Sequence, residues 1–216
     1  MTKVMAAALA FAVLWPATAR AHRLDEYLQA ARVSLGRTRV LIELDLTPGA
    51  TVASAIVPLI DRDADGVISP AEIEAYGRRV LADLTITLDG RDIVLQLTRI
   101  DAPSIDEMRE GMGNIQLRAT GRVNAGPGTR RLYLQNRHLP AASVYMVNAL
   151  MPDDRAITVV SQRRDPQQSS ATIAYEMGPG RIAQATWLSI GAIGLSALAL
   201  FRRGATPDPR SLIPDP

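Results

Sequence analysis

Along about nine stretches between residues 27 and 177, side-chain polarity alternates with a period of two, which suits strands that bury one face and wet the other. Tyr27 to Leu35 alternates in this way. After Gly36, Arg37 and Thr38 the pattern resumes with Val40, Ile42, Leu44 and Leu46 on one face, which predicts a hairpin. Leu84, Ile86 and Leu88 run into Asp89-Gly90, a favoured two-residue turn, and Ile93 to Ile100 is expected to return alongside. Further strands are expected at Asn114 to Val123, Arg130 to Gln135, Val144 to Leu150, Ile157 to Arg163 and Ala171 to Met177. Turn chemistry separates several of them, at Gly126-Pro127-Gly128, Pro152-Asp153-Asp154 and Asp165-Pro166. Strands this short at this spacing predict a mainly β, β-sandwich-like domain.

One insertion, residues 48–83, breaks the period. Val52, Ile56, Val57 and Ile60 fit one face of a first helix, and Ile73, Tyr76, Val80 and Leu81 fit a second. Between them runs Asp61-Arg62-Asp63-Ala64-Asp65-Gly66-Val67-Ile68-Ser69-Pro70-Ala71-Glu72. Asp61, Asp63 and Asp65 stand at alternate positions, where a tight loop turns one carboxylate oxygen of each toward a common centre. Gly66 permits the sharp bend, Val67 offers only its carbonyl, Ser69 acts directly or through water, and Ile68 is the inward apolar anchor. Glu72, one turn into the second helix, can offer both oxygens, and Pro70 suits an early helical position. The segment resembles an EF-hand calcium loop at each diagnostic position, so Ca2+ is the expected ligand of Asp61, Asp63, Asp65, Val67, Ser69 and Glu72. No second loop is visible, because Asp106-Glu107 and Asp153-Asp154 lack the spacing. An unpaired loop in an exported chain reads as a constitutive calcium site that rigidifies the insertion; no Met-rich face is present for a groove-opening switch.

The two ends read as membrane segments. Lys3, an apolar run from Val4 to Trp15, and Ala19-Arg20-Ala21 have the parts of a secretory leader over residues 1–21, with His22 first in the mature chain; the alternative is an uncleaved anchor. Residues 182–201 carry no charge and are followed by Arg202 and Arg203, which predicts a C-terminal span with arginines on the cytoplasmic side. Gln184, Ser189 and Ser196 lower its hydropathy, so a buried helix or a removable sorting tail is the other reading. Residues 202–216 are expected to form a disordered inner tail. The expected topology is a periplasmic domain, residues 22–181, held to a bacterial inner membrane by one helix.

Composition narrows the chemistry. There is no cysteine, which excludes disulfides, thiol catalysis and thiolate metal sites. Lys3 is the single lysine, and an arginine-only excess does not read as a nucleic-acid code. Residues 22–110 hold 16 acids and 10 arginines, whereas residues 111–181 hold 4 acids and 9 arginines. That segregation either steers a partner or draws the two halves together. No G-x-S-x-G elbow, P-loop or H-E-x-x-H occurs, and no catalytic residue or enzyme activity is expected.

The two histidines, His22 and His138, admit two readings. In the plainer one His22 merely follows the cleavage site, and His138 is a surface residue at a strand end. In the other, the α-amine and imidazole of His22 bind copper or nickel, with His138 completing the set. The segments Ala21-His22-Arg23-Leu24-Asp25-Glu26-Tyr27-Leu28-Gln29 and Asn136-Arg137-His138-Leu139-Pro140, with Val144-Tyr145, resemble exported domains similar to the periplasmic part of HupE/UreJ-type and related nickel-transporter proteins. That resemblance implies an envelope protein or metal transporter as partner; the single uncharged span of this chain offers no pathway of its own. The expected function is a non-enzymatic, calcium-binding module, with copper or nickel delivery through His22 as the alternative.

Overall fold

The computed structural model describes residues 25–179. Its elements are β1 (Tyr27–Leu35), β2 (Arg39–Pro48), α1 (Ala50–Ile60), α2 (Pro70–Ala82), β3 (Leu84–Leu88), β4 (Arg91–Asp92), β5 (Leu95–Asp101), α3 (Ile105–Arg109), β6 (Ile115–Arg122), β7 (Gly128–Asn136), β8 (Ser143–Ala149), β9 (Ile157–Arg164) and β10 (Ser170–Met177). The leader, His22, the span at 182–201 and the inner tail lie outside the described residues. Among the described residues no helix is long and apolar enough to cross a membrane.

The strands form two five-stranded sheets, ordered β5-β6-β2-β1-β8 and β4-β3-β7-β10-β9. Adjacent strands are antiparallel except β1 and β8, which run parallel with Tyr27 opposite Ser143. Alternation does what a period of two requires: in β1 and β2 every second residue is buried. Val33, Ile42, Leu44 and Leu117 from the first sheet join Ile86, Leu132, Leu134 and Ile173 from the second in one apolar cluster. Each fully buried aliphatic side chain of this kind is worth about 1.5–3 kcal/mol. The half-exposed ladder of Arg32 with Asp45 at 2.5 Å and Arg118 with Glu43 at 2.8 Å is worth at most about 1 kcal/mol per pair. The shared core therefore decides the sandwich, and the outer charges tune it.

The return strand of the expected second hairpin departs from the sequence reading. Asp89 and Gly90 do turn, with φ of +51° and +79°, but β4 pairs with β3 only through Thr87↔Asp92 and Leu88↔Arg91. The chain then crosses to the other sheet at Ile93-Val94, and β5 pairs with β6 instead. Glycine makes the crossing possible. A Cβ on Gly121 of β6 would lie 2.2 Å from Ile93 Cγ2, so the apolar side chain that the hairpin would have shown to its neighbour fills the space over a bare backbone. Two further elements were not expected from the sequence: the two-residue β4, and α3, which Ser104 and Glu107 start with a capping box.

Open edges are managed on both flanks. On one flank the crossing at Ile93-Val94 joins the sheets covalently. On the other, Gln162 and Arg164 of β9 reach the edge of β8, Gln162 Nε2 donating to Val147 O at 2.9 Å and Arg164 Nε to the same oxygen at 2.6 Å. The helix–loop–helix connects β2 of the first sheet to β3 of the second. Gly77 lets α2 close on β5, since a Cβ there would stand 2.8 Å from Ile100 Cδ1. The acid-rich and arginine-rich halves do meet across the fold, in Glu43 with Arg118 and in Asp89 with Arg130 at 3.1 Å.

Gly121→Ala should destabilise the protein by about 1–3 kcal/mol through overpacking. The loss should shrink in an Ile93→Ala background, as a double-mutant cycle by urea denaturation would read. Equal losses in both backgrounds would sink this account of the crossing.

Candidate metal loop and the buried polar chain behind it

The loop between α1 and α2 is built by its own backbone demands. Ala64 and Gly66 take φ of +57° and +85°, the two left-handed steps that fold the loop back. Gly66 N–H donates to Asp61 Oδ2 at 3.1 Å, Asp65 N–H to Asp63 Oδ1 at 3.3 Å, and Val67 N–H to Asp65 Oδ1 at 2.8 Å. These bonds aim the aspartates inward. One carboxylate oxygen from each of Asp61, Asp63 and Asp65 lies within 4.8 Å of the others, an arrangement that could hold a metal ion.

Asp61 is 7% exposed, and its Oδ1 is buried with no hydrogen-bond partner. Among the described residues only Tyr175 Oη shares that condition. A buried oxygen of a carboxylate that stands beside two other carboxylates is the costlier of the two, because the group has lost water and gained like charge. Asp63 feels the same crowding. The N–H of Asp65 favours its ionised form, but desolvation and the charges of Asp65, Glu72 and Asp61 together outweigh that bond and hold its carboxyl above the ordinary value.

The remaining expected ligands are arranged differently. Glu72 does not join the three aspartates: Oε2 accepts Ser69 N–H at 3.0 Å and Ser69 Oγ at 2.8 Å, and Oε1 accepts Arg62 N–H at 2.8 Å. Ser69 returns the bond by accepting from Glu72 N–H at 3.3 Å, which makes a capping box at the start of α2, with Pro70 in the first turn. The Ser69 backbone and hydroxyl bonds, then Arg62 N–H, pull the Glu72 carboxyl down to about 2. The Val67 side chain is exposed, while Ile68 packs against the core as an apolar anchor should.

His138 is fully buried, which corrects its reading as a surface residue at a strand end. Its Nδ1 lies 2.7 Å from Asp83 Oδ2, and its Nε2 lies 3.0 Å from Tyr76 Oη, itself 2.8 Å from Tyr27 Oη. One proton arrangement satisfies the chain: Tyr27 donates to Tyr76, Tyr76 donates to neutral His138, and Nδ1–H donates to Asp83. The backbone of His138 is held as tightly. Its N–H donates to Asn136 Oδ1 at 2.9 Å, and its carbonyl accepts from Gln29 Nε2 at 2.9 Å, Tyr145 Oη at 2.9 Å and Ser143 Oγ at 3.1 Å. With both ring nitrogens engaged, His138 has none free for copper or nickel, and His22 lies outside the described residues.

Burial pushes the Tyr27 phenol well above its ordinary value and Tyr76 up to about 12, so both remain donors at neutral pH. Burial also lowers the His138 pKa, and the bond and charge of Asp83 oppose this without cancelling it. The sequence did carry a signal for this chain. Tyr27 and Gln29 stand in the inward phase of β1 and Tyr76 in that of α2, and buried hydroxyl or amide groups require partners. Comparisons with family models, with curated proteins and with solved structures find no match for this chain.

A histidine whose folded pKa lies below its unfolded value stabilises the fold fully above about pH 6.5, and that contribution fades as pH falls through the window beneath it. The melting temperature should therefore drop between about pH 7 and about pH 5, above the range where ordinary carboxylates titrate. His138→Gln should lower stability by about 1–3 kcal/mol near neutrality and flatten the drop, read by thermal melts across pH. An unchanged slope in that variant would exclude His138 as its source.

Proposed function

We propose that this chain is a calcium-binding, exported domain anchored in the bacterial inner membrane by residues 182–201, and that it acts as a non-enzymatic binding or assembly module in the periplasm. The observation that carries the calcium reading is Asp61, whose carboxylate stands beside those of Asp63 and Asp65 and keeps one buried oxygen, Oδ1, without a partner. The donors are all oxygens, and no thiolate or free imidazole stands among them, which suits a hard cation rather than copper or nickel. Calcium accepts irregular geometry and many oxygens, whereas magnesium demands a compact octahedron and holds its water. In this reading Asp61, Asp63 and Asp65 bind first, the Val67 carbonyl and Ser69 add oxygens, and Glu72 exchanges its bonds to Arg62 and Ser69 for the ion.

Calcium in this position ties the end of α1 to the start of α2, and so fixes the connection between the two sheets. The module then presents one rigid surface to an envelope partner, with a metal transporter as the candidate that the sequence resemblance implies. A ligand that binds only the folded loop raises stability by mass action, about 1.4 kcal/mol at ten times its Kd.

Millimolar calcium should raise the melting temperature of the purified full chain, magnesium at the same concentration should do much less, and Asp61→Ala should lose the calcium response. Identical melts with and without calcium would overturn the reading.

A further inference from the structure

Helix α2 is held at both ends by polar groups that have no bond to each other. At its start, Glu72 and Ser69 bind it to the loop; at its end, the C-cap residue Asp83 binds His138, and Tyr76 binds His138 and Tyr27 from the same helix. Glu72 and Tyr76 are one helical turn apart, so they share a side of α2 and move together. Glu72 stands outside the cluster of three aspartates with both carboxylate oxygens bonded, to Ser69 and Arg62 N–H, and the helix that carries it is positioned by the buried chain.

We propose that the Tyr27–Tyr76–His138–Asp83 chain sets the position of Glu72 and thereby the cation affinity of the loop, so that protonation of His138 and cation binding oppose each other. His138 is a positioning residue in this scheme and Glu72 the ligand it serves. The inference rests on the calcium reading and goes beyond it.

The hydrogen-bond polarity of the chain explains the sign. Tyr76 can donate to Nε2 only while that nitrogen is unprotonated. An added proton there turns Nε2 into a donor, so Tyr76 must accept from it and redirect its own proton toward Tyr27. Tyr27 is 0% exposed, and its hydroxyl has no acceptor other than Tyr76 among the bonds described. The chain therefore gives up a bond or shifts, and Tyr76 and Asp83 carry any shift into α2. Every element packed around His138 supplies a group to this balance: Tyr27 from β1, Tyr76, Arg79 and Asp83 from α2 and its cap, and Tyr145 from β8. Asp83 favours the protonated ring, whereas burial and Arg79 oppose it, and a Tyr27 hydroxyl left without an acceptor adds to the opposition. By linkage, whatever proton binding does to calcium affinity, calcium does to proton affinity.

The test is calorimetric titration with calcium of the full chain in mild detergent at about pH 7.5 and about pH 5.5, the two sides of an ordinary histidine titration. Wild type, His138→Gln and Tyr76→Phe are compared. Acid weakens the loop carboxylates equally in all three, so the informative quantity is the difference between wild type and variant. Wild type should lose about tenfold more affinity than His138→Gln over this range, a coupling of ordinary size. Tyr76→Phe, which keeps the ring and its packing, should bind calcium more weakly already at the higher pH, and it decides the matter if His138→Gln does not fold. Parallel pH profiles together with unchanged affinity in Tyr76→Phe would overturn the coupling. No calcium binding by folded wild type at either pH would instead remove the calcium reading, and this inference with it.

Discussion

A histidine with no exposure to water, bonded through both ring nitrogens, holds the helical insertion against the sandwich. His138 receives Tyr76 from α2, reaches Asp83 at the end of the same helix, and has its carbonyl gripped by Gln29 of β1 and by Ser143 and Tyr145 of β8. Apolar contact alone would let α2 slide along the sheets, because burial depends on area and is nearly indifferent to direction. Hydrogen bonds in a dry interior are directional, and leaving one unmade costs about 1–3 kcal/mol, so this cluster specifies one seat for the helix.

The loop at the other end of α2 follows the opposite logic. There each aspartate accepts a backbone N–H, yet the three carboxylates stand close together, like charge beside like charge. A shape that holds three carboxylates together must be imposed by something other than their mutual interaction. Here the left-handed turns at Ala64 and Gly66, the capping box at Ser69 and the anchoring of Ile68 impose it. Such a loop could hold a metal ion, and the helix behind it must be stiff for its shape to last.

Much of this was legible from the residues. Strand positions followed from the two-residue period, and the loop from carboxylates at alternate places with glycine at the bend. The crossing at Ile93-Val94 was not, since Asp89-Gly90 specifies a turn but not how many residues pair beyond it; Gly121, thirty residues on, decides that through the space over its backbone. His138 was misread for a related reason. Its neighbours Asn136 and Arg137 give it the look of a polar strand end, and its burial depends on Tyr27, Tyr76 and Asp83, all more than fifty residues away in sequence.

The two flanks of the sandwich differ in how tightly the chain closes them. One is hemmed by the peptide chain at the two residues Ile93-Val94; on the other the chain passes from β8 to β9 through the longer segment 150–156, and the side chains of Gln162 and Arg164 stitch the rim of β8. A covering stitched on one side and hemmed on the other loosens at the stitches. In a chain without a disulfide, this predicts that the sheets part first at β8 and β9, where seven residues of slack join them, and last at the two-residue hem against which the helices and their loop are packed.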